Sequence, residues 1–527
     1  MQSDTQTASG PTGHHVRLKT RSVLNQNFES ATARALTQGG DTRIELNAMG
    51  TNSYGCRPLP DPALLQFGSS TGSVISVAGF QAATALYRRL YSPAGSYSME
   101  LERQRRELSL LSGASGLPGT EVVFAASGTD IHLFAAHLAA QGKPTPLQAV
   151  MVEPSETGSG VPAALAALHF ATQTSQGHRV NRGEALAHSP LQRPASVALR
   201  HADGSLRRVD EVDAEFAAHV ARSVQADGRC LLVLTDLSKS GLLAPSLACA
   251  AQLRALYGER LSVLVDACQF RLSSETLLGY LAQEFMVAIT GSKFVGGPAF
   301  CGALLLPPGV AQCSRAVPLN TLAAYSARSD WPPDWLSASA LAESANLGLL
   351  LRWEAALTEL RRFKALPDQA VHDFLQTWQV AVSQRIASDD NFEALPVAPL
   401  QRRLACGLRT WDSVQTIIPF QIFKHTATGA RQALSLDETA LLYRRLNSTD
   451  TGPSHGLSGT DFVNARCQLG QPVSCGQSDA VPVSALRMCS SARLVADAIL
   501  AGQPVDRTIA HAMLAFDKLV MLAQALR

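Results

Sequence analysis

The fold is decided by residues 261–293, LSVLVDACQFRLSSETLLGYLAQEFMVAITGSK. This segment begins with LSVLVDACQ and ends with MVAITGSK, and in each run an apolar stretch leads directly into small or polar residues. Short runs that are apolar at nearly every position are typical of strands buried on both faces. We therefore predict two strands of a mainly parallel sheet, with Asp266 and Lys293 at or just past their carboxyl ends.

Similar apolar runs lie on both sides of this segment, separated by helical patterns such as LACAAQLRALYGE (247–259). The additional predicted strands are EVVFAAS (121–127), LQAVMVE (147–153), RCLLVLTDL (229–237) and CGALLLP (301–307). Continuous apolar strands that alternate with helices indicate an α/β architecture, in which helices cover both faces of the sheet.

The remaining chain divides where its composition changes. The polar stretch 174–198, which contains Pro190 and Pro194, is predicted to be a surface excursion, and 338–366 is predicted to be one long helix. We expect five parts: a disordered tail (1–15), an N-terminal segment (16–112) that contributes to a small domain and an interface, a large domain (113–330), a linking helix (331–366) and a small α+β C-terminal domain (367–527).

The overall composition excludes several classes of function. The formal net charge is +2, and neither a long basic block nor a long apolar run is present, so nucleic acid and membranes are not expected partners. The ten Cys form no C-x-x-C pair and show no zinc-ligand spacing, which favours reduced thiols and no metal site. The polar first residues do not have the pattern of a signal peptide, and we expect a cytoplasmic protein.

Three short motifs in the α/β part carry chemistry: SGTD (127–130), VDACQ (265–269) and TGSKFVGGP (290–298). A Gly-Thr turn that opens a helix offers backbone N–H groups and partial positive charge to a phosphate. An Asp at a strand end can pair with a protonated ring nitrogen, and a Lys held among small residues can form a Schiff base with an aldehyde. All three motifs follow predicted strands, which is where open parallel sheets bind ligands.

These motifs resemble fold-type I pyridoxal-phosphate (PLP) enzymes, and in particular the class V aminotransferase group, which includes cysteine desulfurases and kynureninase. In that group, Gln or His follows the strand-end Asp by three positions, and Ser or Thr usually precedes the Lys by three. The resemblance covers about residues 120–310. The matching residues here are Asp266, Gln269, Thr290 and Lys293, with Gly128 and Thr129 as the phosphate turn.

The resemblance implies a role for each matching residue. Lys293 would form the Schiff base with PLP and then move the proton on the substrate's Cα, and Asp266 would keep the pyridine nitrogen protonated. Gln269 would lie at O3′ of the cofactor. The loop LTDLSKSGLLAP (234–245) resembles a family loop that also reaches O3′, here through Ser238 or Lys239. The phosphate would be held by Gly128, Thr129 and Thr290.

The sequence departs from the family pattern in three places. Relatives place an aromatic residue or His on the ring where VEPSETGSG (152–160) stands here, so Thr157 or Glu156 would cover the ring instead. Ser292 replaces the His that desulfurases typically carry before the Lys. Cys406 lies at a separation similar to that of a desulfurase loop cysteine, but its flanking residues differ and buried packing is the favoured interpretation.

Two arginines are candidates for the substrate carboxylate, because a guanidinium matches a carboxylate with two parallel hydrogen bonds. Arg487 resembles the Arg on a strand of the family's small domain, and Arg466 is the second candidate; a surface ion pair is the alternative for either. The polar stretch around Asn52, Tyr54 and 69–71 either lines the site, reaches a partner's phosphate pocket or forms ordinary turns.

These expectations predict a PLP-dependent enzyme that acts on an L-amino acid or a derivative. The favoured reaction is amino-group transfer to a keto acid, as in class V aminotransferases. The alternatives are a lyase that eliminates or cleaves at Cβ or Cγ, a decarboxylase, and a PLP-fold binding protein without catalysis. The resemblance also implies a homodimer.

Overall fold

The computed structural model describes most of the chain. Residues 1–26, including the predicted tail, and residues 69–71 and 403–406, including Cys406, lie outside the described part. The described residues are 27–68, 72–141, 143, 145–186, 191–402, 407, 410–426, 428–449, 463–478 and 481–526.

The described residues of the N-terminal segment form one helical stretch, one strand and two longer helices. Ser76 and Ser96 begin the two longer helices by accepting a hydrogen bond from a backbone N–H of the first turn, as N-cap serines do. The elements are α1 (27–35), β1 (Leu64–Phe67), α2 (Val77–Leu90) and α3 (Tyr97–Ser112).

In the described part of the chain, eight strands form the large sheet, in the order β2-β9-β8-β7-β5-β3-β4, with β6 paired to β5. The strands from β8 to β4 run parallel, whereas β9 is antiparallel to both of its neighbours. The strands are β2 (Glu121–Ala125), β3 (Leu147–Val152), β4 (Leu191–Val197), β5 (Arg229–Asp236), β6 (Leu243–Ala244), β7 (Leu261–Ala267), β8 (Met286–Thr290) and β9 (Gly302–Leu306).

Helices cover both faces of this sheet, so successive residues of a strand enter different cores. On β2, for example, Val122 and Phe124 belong to one core, while Val123 and Ala125 belong to the other. The apolar runs are therefore buried on both faces, and the predicted α/β fold class is confirmed. The helices are α4 (Gly128–Ala140), α5 (Val161–Leu165), α6 (Val209–Ser223), α7 (Leu247–Tyr257), α8 (Ser274–Ala282), α9 (Pro308–Ser314) and α10 (Leu347–Lys364).

Two local predictions were wrong. Residues 191–197, expected to be part of a surface excursion, form the edge strand β4, which pairs in parallel with β3; an edge strand tolerates Pro194 because one of its sides makes no ladder hydrogen bonds. The helix predicted over 338–366 begins only at Leu347, where the side chain of Asn346 accepts from the N–H of Leu349 at 2.9 Å. Trp331 and Trp335, upstream of it, are buried in the core beside α4.

A second sheet has the order β1-β13-β14-β11-β10, with β12 paired to β11. Its strand from the N-terminal segment, β1, runs parallel to β13, and its core contains the edge-to-face pair Phe392 and Phe516. Its strands and the accompanying helices are β10 (Phe392–Ala394), β11 (Ile417–His425), β12 (Arg431–Ala433), β13 (Arg466–Ser478), β14 (Val481–Cys489), α11 (Asp368–Ala387), α12 (Leu436–Leu446), α13 (Ala492–Leu500) and α14 (Val505–Gln524). In the described part of the chain, every helix is too short or too polar to span a bilayer.

Candidate active site

A cavity lies at the carboxyl edge of the large sheet, where β2, β5, β7 and β8 all end. Strands that run in the same direction present their carboxyl ends, and the residues that follow, at one edge. Residues far apart in the sequence therefore meet there. Eight predicted site residues line the cavity: Gly128, Thr129, Thr157, Asp266, Gln269, Thr290, Lys293 and Arg487.

The N-terminus of α4 forms one wall of the cavity. Ser127 precedes the helix in an extended conformation, and its hydroxyl accepts from the N–H of Asp130 at 3.3 Å. The N–H groups of Gly128 and Thr129 lie in the first helical turn, which has no preceding carbonyls to bind. A Cβ on Gly128 would come within 3.0 Å of the Cys268 sulfur, so only glycine lets the turn pack this closely. The turn can therefore receive an anion through backbone donors.

Asp266, near the end of β7, is the buried carboxylate of the cavity. Its Oδ1 accepts from the N–H of Cys268 at 3.2 Å, and its Oδ2 accepts from the Thr157 hydroxyl at 3.3 Å. Burial raises the pKa of Asp266, but His132 and Lys293 lower it by more, so that the pKa lies below its ordinary value. The carboxylate thus remains ionised at neutral pH and can pair with a cationic group of a ligand.

Lys293 follows β8 in a turn of small residues. The turn is closed by hydrogen bonds from the Gly296 N–H to the Lys293 carbonyl at 3.1 Å and from the Gly297 N–H to the Gly291 carbonyl at 2.9 Å. A Cβ on Gly297 would lie 2.8 Å from the Gly291 oxygen, which explains the glycine at this position. Lys293 is half-buried and lines the cavity, where its amine can act as a nucleophile.

Gln269 and Thr290 also line the cavity. The Oε1 atom of Gln269 is buried and has no hydrogen-bond partner among the described residues. The Thr290 hydroxyl donates to the Cys268 carbonyl at 2.6 Å, and this bond joins the ends of β7 and β8 beside Gly128. A buried acceptor without a partner is available to a group of a bound ligand.

Arg487, on β14 of the second sheet, brings a cation to the cavity and is only 2% exposed. Its Nε and Nη2 donate to the Gln471 carbonyl at 3.1 and 2.8 Å, and its Nη1 donates to the Lys239 carbonyl at 3.1 Å. One N–H on each terminal nitrogen makes no hydrogen bond to a described residue. A fixed, planar guanidinium with two free N–H groups suits a carboxylate.

Lys239 is a second cation in the same wall. Its Nζ donates to the Ser155 carbonyl at 3.1 Å. Burial, followed by the nearby charges of Arg487 and Lys293, lowers the pKa of Lys239 to about 8. Lys239 thus changes its charge just above neutral pH.

Ser238 lies behind the cavity rather than on its surface. Its hydroxyl donates to Glu156 at 2.8 Å, and Ser240 donates to the same carboxylate through its N–H at 3.0 Å and its hydroxyl at 2.6 Å. Glu156 therefore anchors the loop that carries Lys239, although it also reaches the cavity wall. Of the two residues proposed to cover a ring, Thr157 lies against Asp266 and Glu156 is engaged by this loop.

Arg466 and the stretch around Asn52 are not brought to the cavity. Arg466 makes a bidentate ion pair with Asp61, at 2.7 and 2.6 Å, where β13 pairs with β1. The Asn52 side chain accepts from the N–H groups of Tyr54 and Cys56, which is the geometry of an ordinary turn.

Arg43, His132 and Phe300 are among the cavity residues that were missed from the sequence. Arg43 comes from the N-terminal segment and pairs there with Asp41. Its Cζ atom lies 5.0 Å from the centre of the Phe300 ring of the large domain. No local pattern connects it to the motifs. His132 follows Gly128 by four residues on α4, so the helical period was a signal that it shares a face with the turn.

The comparisons with known proteins concern the fold. No family model matches the sequence, and no curated protein matches it. The structure of Oryza sativa TDC with PLP and tryptamine covers 98% of this chain and 100% of its own, with a TM-score of 0.51 and 12% identity. The cysteine desulfurase CsdA from Escherichia coli covers 86% of this chain and 95% of its own, with a TM-score of 0.46 and 15% identity.

A third structure, an alanine–glyoxylate aminotransferase from Nostoc sp., covers 89% of this chain and 97% of its own, with a TM-score of 0.49 and 13% identity. At these identities the similarity concerns the fold. The likeness to the Oryza sativa protein, which extends over nearly the whole chain, confirms the predicted resemblance in fold to a protein solved with PLP.

Proposed function

We propose that this protein is a PLP-dependent enzyme that transfers the amino group of an L-amino acid or a derivative to a keto acid. The observation that carries the proposal is the convergence of Lys293, Asp266 and the N-terminus of α4 on one cavity. These residues supply, in one place, an amine for an aldehyde, a carboxylate for a ring nitrogen and backbone donors for a phosphate.

The chemistry of the donor set fits PLP. The N–H groups of Gly128 and Thr129 would hold the phosphate at a helix N-terminus, and the Thr290 hydroxyl would join them only by giving up its bond to the Cys268 carbonyl. Asp266, which remains ionised, would pair with the protonated ring nitrogen. The side-chain amide of Gln269 offers an acceptor, its unpartnered Oε1, and two N–H donors. It can therefore bind a protonated phenolic oxygen through Oε1 or an ionised one through N–H.

The protein's own residues would then direct the reaction. When bound, PLP supplies an electron sink for negative charge that develops at the substrate's Cα. The amine of Lys293, half-buried in the same cavity as Asp266, would take the proton from Cα and return it at another atom of the substrate or cofactor. Arg487 would bind the substrate carboxylate through its two free N–H groups, which orients the Cα–H bond toward Lys293.

The first experiment is a visible absorption spectrum of the purified protein beside its Lys293→Ala variant, with added PLP and a panel of L-amino acids. We expect a band of lysine-bound cofactor in the wild type only, which one amino donor bleaches and a keto acid restores. The Arg208→Ala variant, changed at an exposed pair, should behave as the wild type. Absence of the band in the wild type would contradict the proposal.

The same experiment separates transamination from the other reactions. If the band persists while ammonia, sulfide, carbon dioxide or a carbon fragment is released without a keto acid, the enzyme is a lyase or a decarboxylase instead. If PLP binds with no turnover of any donor, the chain is a binding protein of this fold.

We also propose that the enzyme is a homodimer, as the resemblance to class V enzymes implies. Sedimentation equilibrium should then give a mass of twice the 56.0 kDa of one chain. A single species with the mass of one chain would contradict this part of the proposal and would leave the cofactor chemistry intact.

A further inference from the structure

His132 is a buried ring that connects the two ends of the candidate site. It lies one helical turn after Gly128, its side chain is 1% exposed, and it lines the cavity. Its Nδ1 is 2.7 Å from the Gly128 carbonyl oxygen, and its Nε2 is 3.4 Å from Asp266 Oδ2. One imidazole thus bridges the anion-binding turn and the carboxylate.

The contact with Gly128 determines which nitrogen carries a proton. A carbonyl oxygen only accepts hydrogen bonds, so Nδ1 of His132 must be the donor. In a neutral ring Nε2 would then present a lone pair to the Asp266 oxygen. At 3.4 Å, Nε2 lies within ion-pair distance of Asp266 Oδ2 but makes no hydrogen bond to a described residue. The approach to Asp266 is attractive only if Nε2 also carries a proton.

The surroundings of Asp266 favour this state over a protonated carboxyl group. Asp266 accepts hydrogen bonds from the Cys268 N–H and the Thr157 hydroxyl, and donors of this kind stabilise the ionised form. Lys293 contributes a second positive charge close by. Asp266 is therefore the anion of the contact, and a proton on Nε2 would turn the 3.4 Å approach of His132 into a buried ion pair.

We propose that His132 is a positioning residue that acts through Asp266, pairing with the carboxylate as a doubly protonated ring and tying it to the turn at Gly128. The proposal rests on the proposed function, in which Asp266 faces the ring nitrogen of PLP and the turn holds its phosphate. The bridge fixes the distance between these two anchors. The positive charge of the ring also stabilises the ionised form of Asp266, so that the carboxylate stays ionised when PLP is bound.

The first test does not need the cofactor. In full-length protein freed of PLP and labelled with ¹⁵N-histidine, the His132 resonances are assigned by their absence in His132→Asn. At pH 7.5 we expect both ring nitrogens to show the shift of a protonated imidazole. In Asp266→Asn the same ring should become neutral, with the proton on Nδ1. A neutral His132 in the wild type would overturn the proposal.

The second test compares two variants by PLP affinity. Asn at position 132 can replace the Nδ1 donor but cannot reach Asp266, whereas Gln can place an amide N–H near the Nε2 position. We expect His132→Asn to lose about tenfold in affinity, the scale of one hydrogen bond to a charged group, and His132→Gln to lose clearly less. His137→Asn is the matched control, since His137 lies on the same helix and binds the Pro318 carbonyl instead.

The two tests keep the possible failures apart. Equal losses in the Asn and Gln variants would overturn the positioning role, because a purely structural ring gives Gln no advantage. Melting curves of the variants identify any general loss of folding. If a variant at position 132 does not fold, the ¹⁵N spectra of the wild type and of Asp266→Asn still test the protonation of His132. If the wild type binds no PLP at all, the proposed function fails, while the nitrogen shifts still test the pair of His132 and Asp266.

Discussion

Arg487 and Lys239 are cavity cations whose hydrogen bonds go to backbone carbonyls rather than to carboxylates of the described residues. A buried charge without an opposite charge is costly unless a ligand supplies one. Among the described residues, the two carboxylates of the cavity wall already accept hydrogen bonds, Asp266 from the Cys268 N–H and the Thr157 hydroxyl and Glu156 from the serines of the loop. The excess positive charge therefore favours an anionic substrate.

We predict that Lys239 makes the binding of carboxylates depend on pH. Its pKa is lowered to about 8 by burial and by the charges of Arg487 and Lys293, so the side chain is a cation below this pH and neutral above it. The affinity of the PLP-loaded protein for an unreactive dicarboxylate such as maleate should fall about tenfold from pH 7 to pH 9, roughly 1.4 kcal/mol. Calorimetric titration over this range measures the effect.

The Lys239→Met variant should lack this step and bind maleate weakly at every pH. Lys424→Met removes a lysine that pairs with Glu438 in the second sheet and should keep the wild-type profile. If Lys239→Met retains the wild-type pH profile, the effect belongs to another group and the prediction is wrong.

Among the elements, α4 contributes most to the site, because its first turn faces the cavity and its next turn carries His132. The helix is almost wholly buried between the sheet and the Trp331 and Trp335 rings, so its position is set by packing on all sides. Rigid placement of a helix N-terminus is what an anion site requires, since the backbone donors cannot be adjusted individually.

We predict that Gly128→Ala weakens PLP binding. The added Cβ would lie 3.0 Å from Cys268 Sγ and 3.5 Å from Thr290 Cγ2, so the turn must move away from the ends of β7 and β8. Overpacking of this kind costs about 1–3 kcal/mol, and the affinity measured by absorbance titration should fall by about tenfold or more.

Relief of the contact provides the control for this prediction. Cys268→Ala removes the sulfur atom, so the double variant Gly128→Ala with Cys268→Ala should recover most of the lost affinity. Unchanged binding by Gly128→Ala alone would show that the turn does not touch the ligand.

At the scale of the whole molecule, the cavity depends on segments that are far apart in the chain. Arg352, on α10, is 1% exposed and donates to the carbonyls of Leu36, Gly39 and Phe300 at 3.0, 3.0 and 2.7 Å. It also donates to the Gln38 carbonyl at 2.5 Å. A single side chain thus holds the N-terminal segment against the wall formed by Phe300.

We predict that Arg352→Leu destabilises the protein by about 3–5 kcal/mol, because four backbone carbonyls lose their donor in a buried place. Arg352→Lys should be intermediate, since an ammonium cannot reach all four. Denaturant unfolding measures the loss, and proteolysis should cleave first in the N-terminal segment. The control is Arg208→Leu, at an exposed pair with Asp210, which should change the free energy of unfolding by less than about 0.5 kcal/mol. A change as small as this for Arg352→Leu would contradict the prediction.

Local sequence patterns were sufficient to predict the central strands of the large sheet and the polar residues at its carboxyl edge. Strands buried on both faces must be apolar throughout, so β5, β7 and β8 could be recognised locally, and the polar residues after them had to meet at one edge. Asp266, Gln269 and Lys293 were therefore predictable from short motifs. The edge strand β4 was not, because Pro194 and its polar neighbours are tolerated where one side of a strand is unpaired.

Only the tertiary structure decided which distant residues complete the site. Arg487 on β14 lines the cavity, whereas Arg466 lies opposite Leu64 of β1 and pairs with Asp61. Arg43 and the bridge from His132 to Asp266 likewise depend on how the N-terminal segment and α4 pack against the sheet. Packing between distant segments is set by the sum of many weak contacts, which no local pattern of residues encodes.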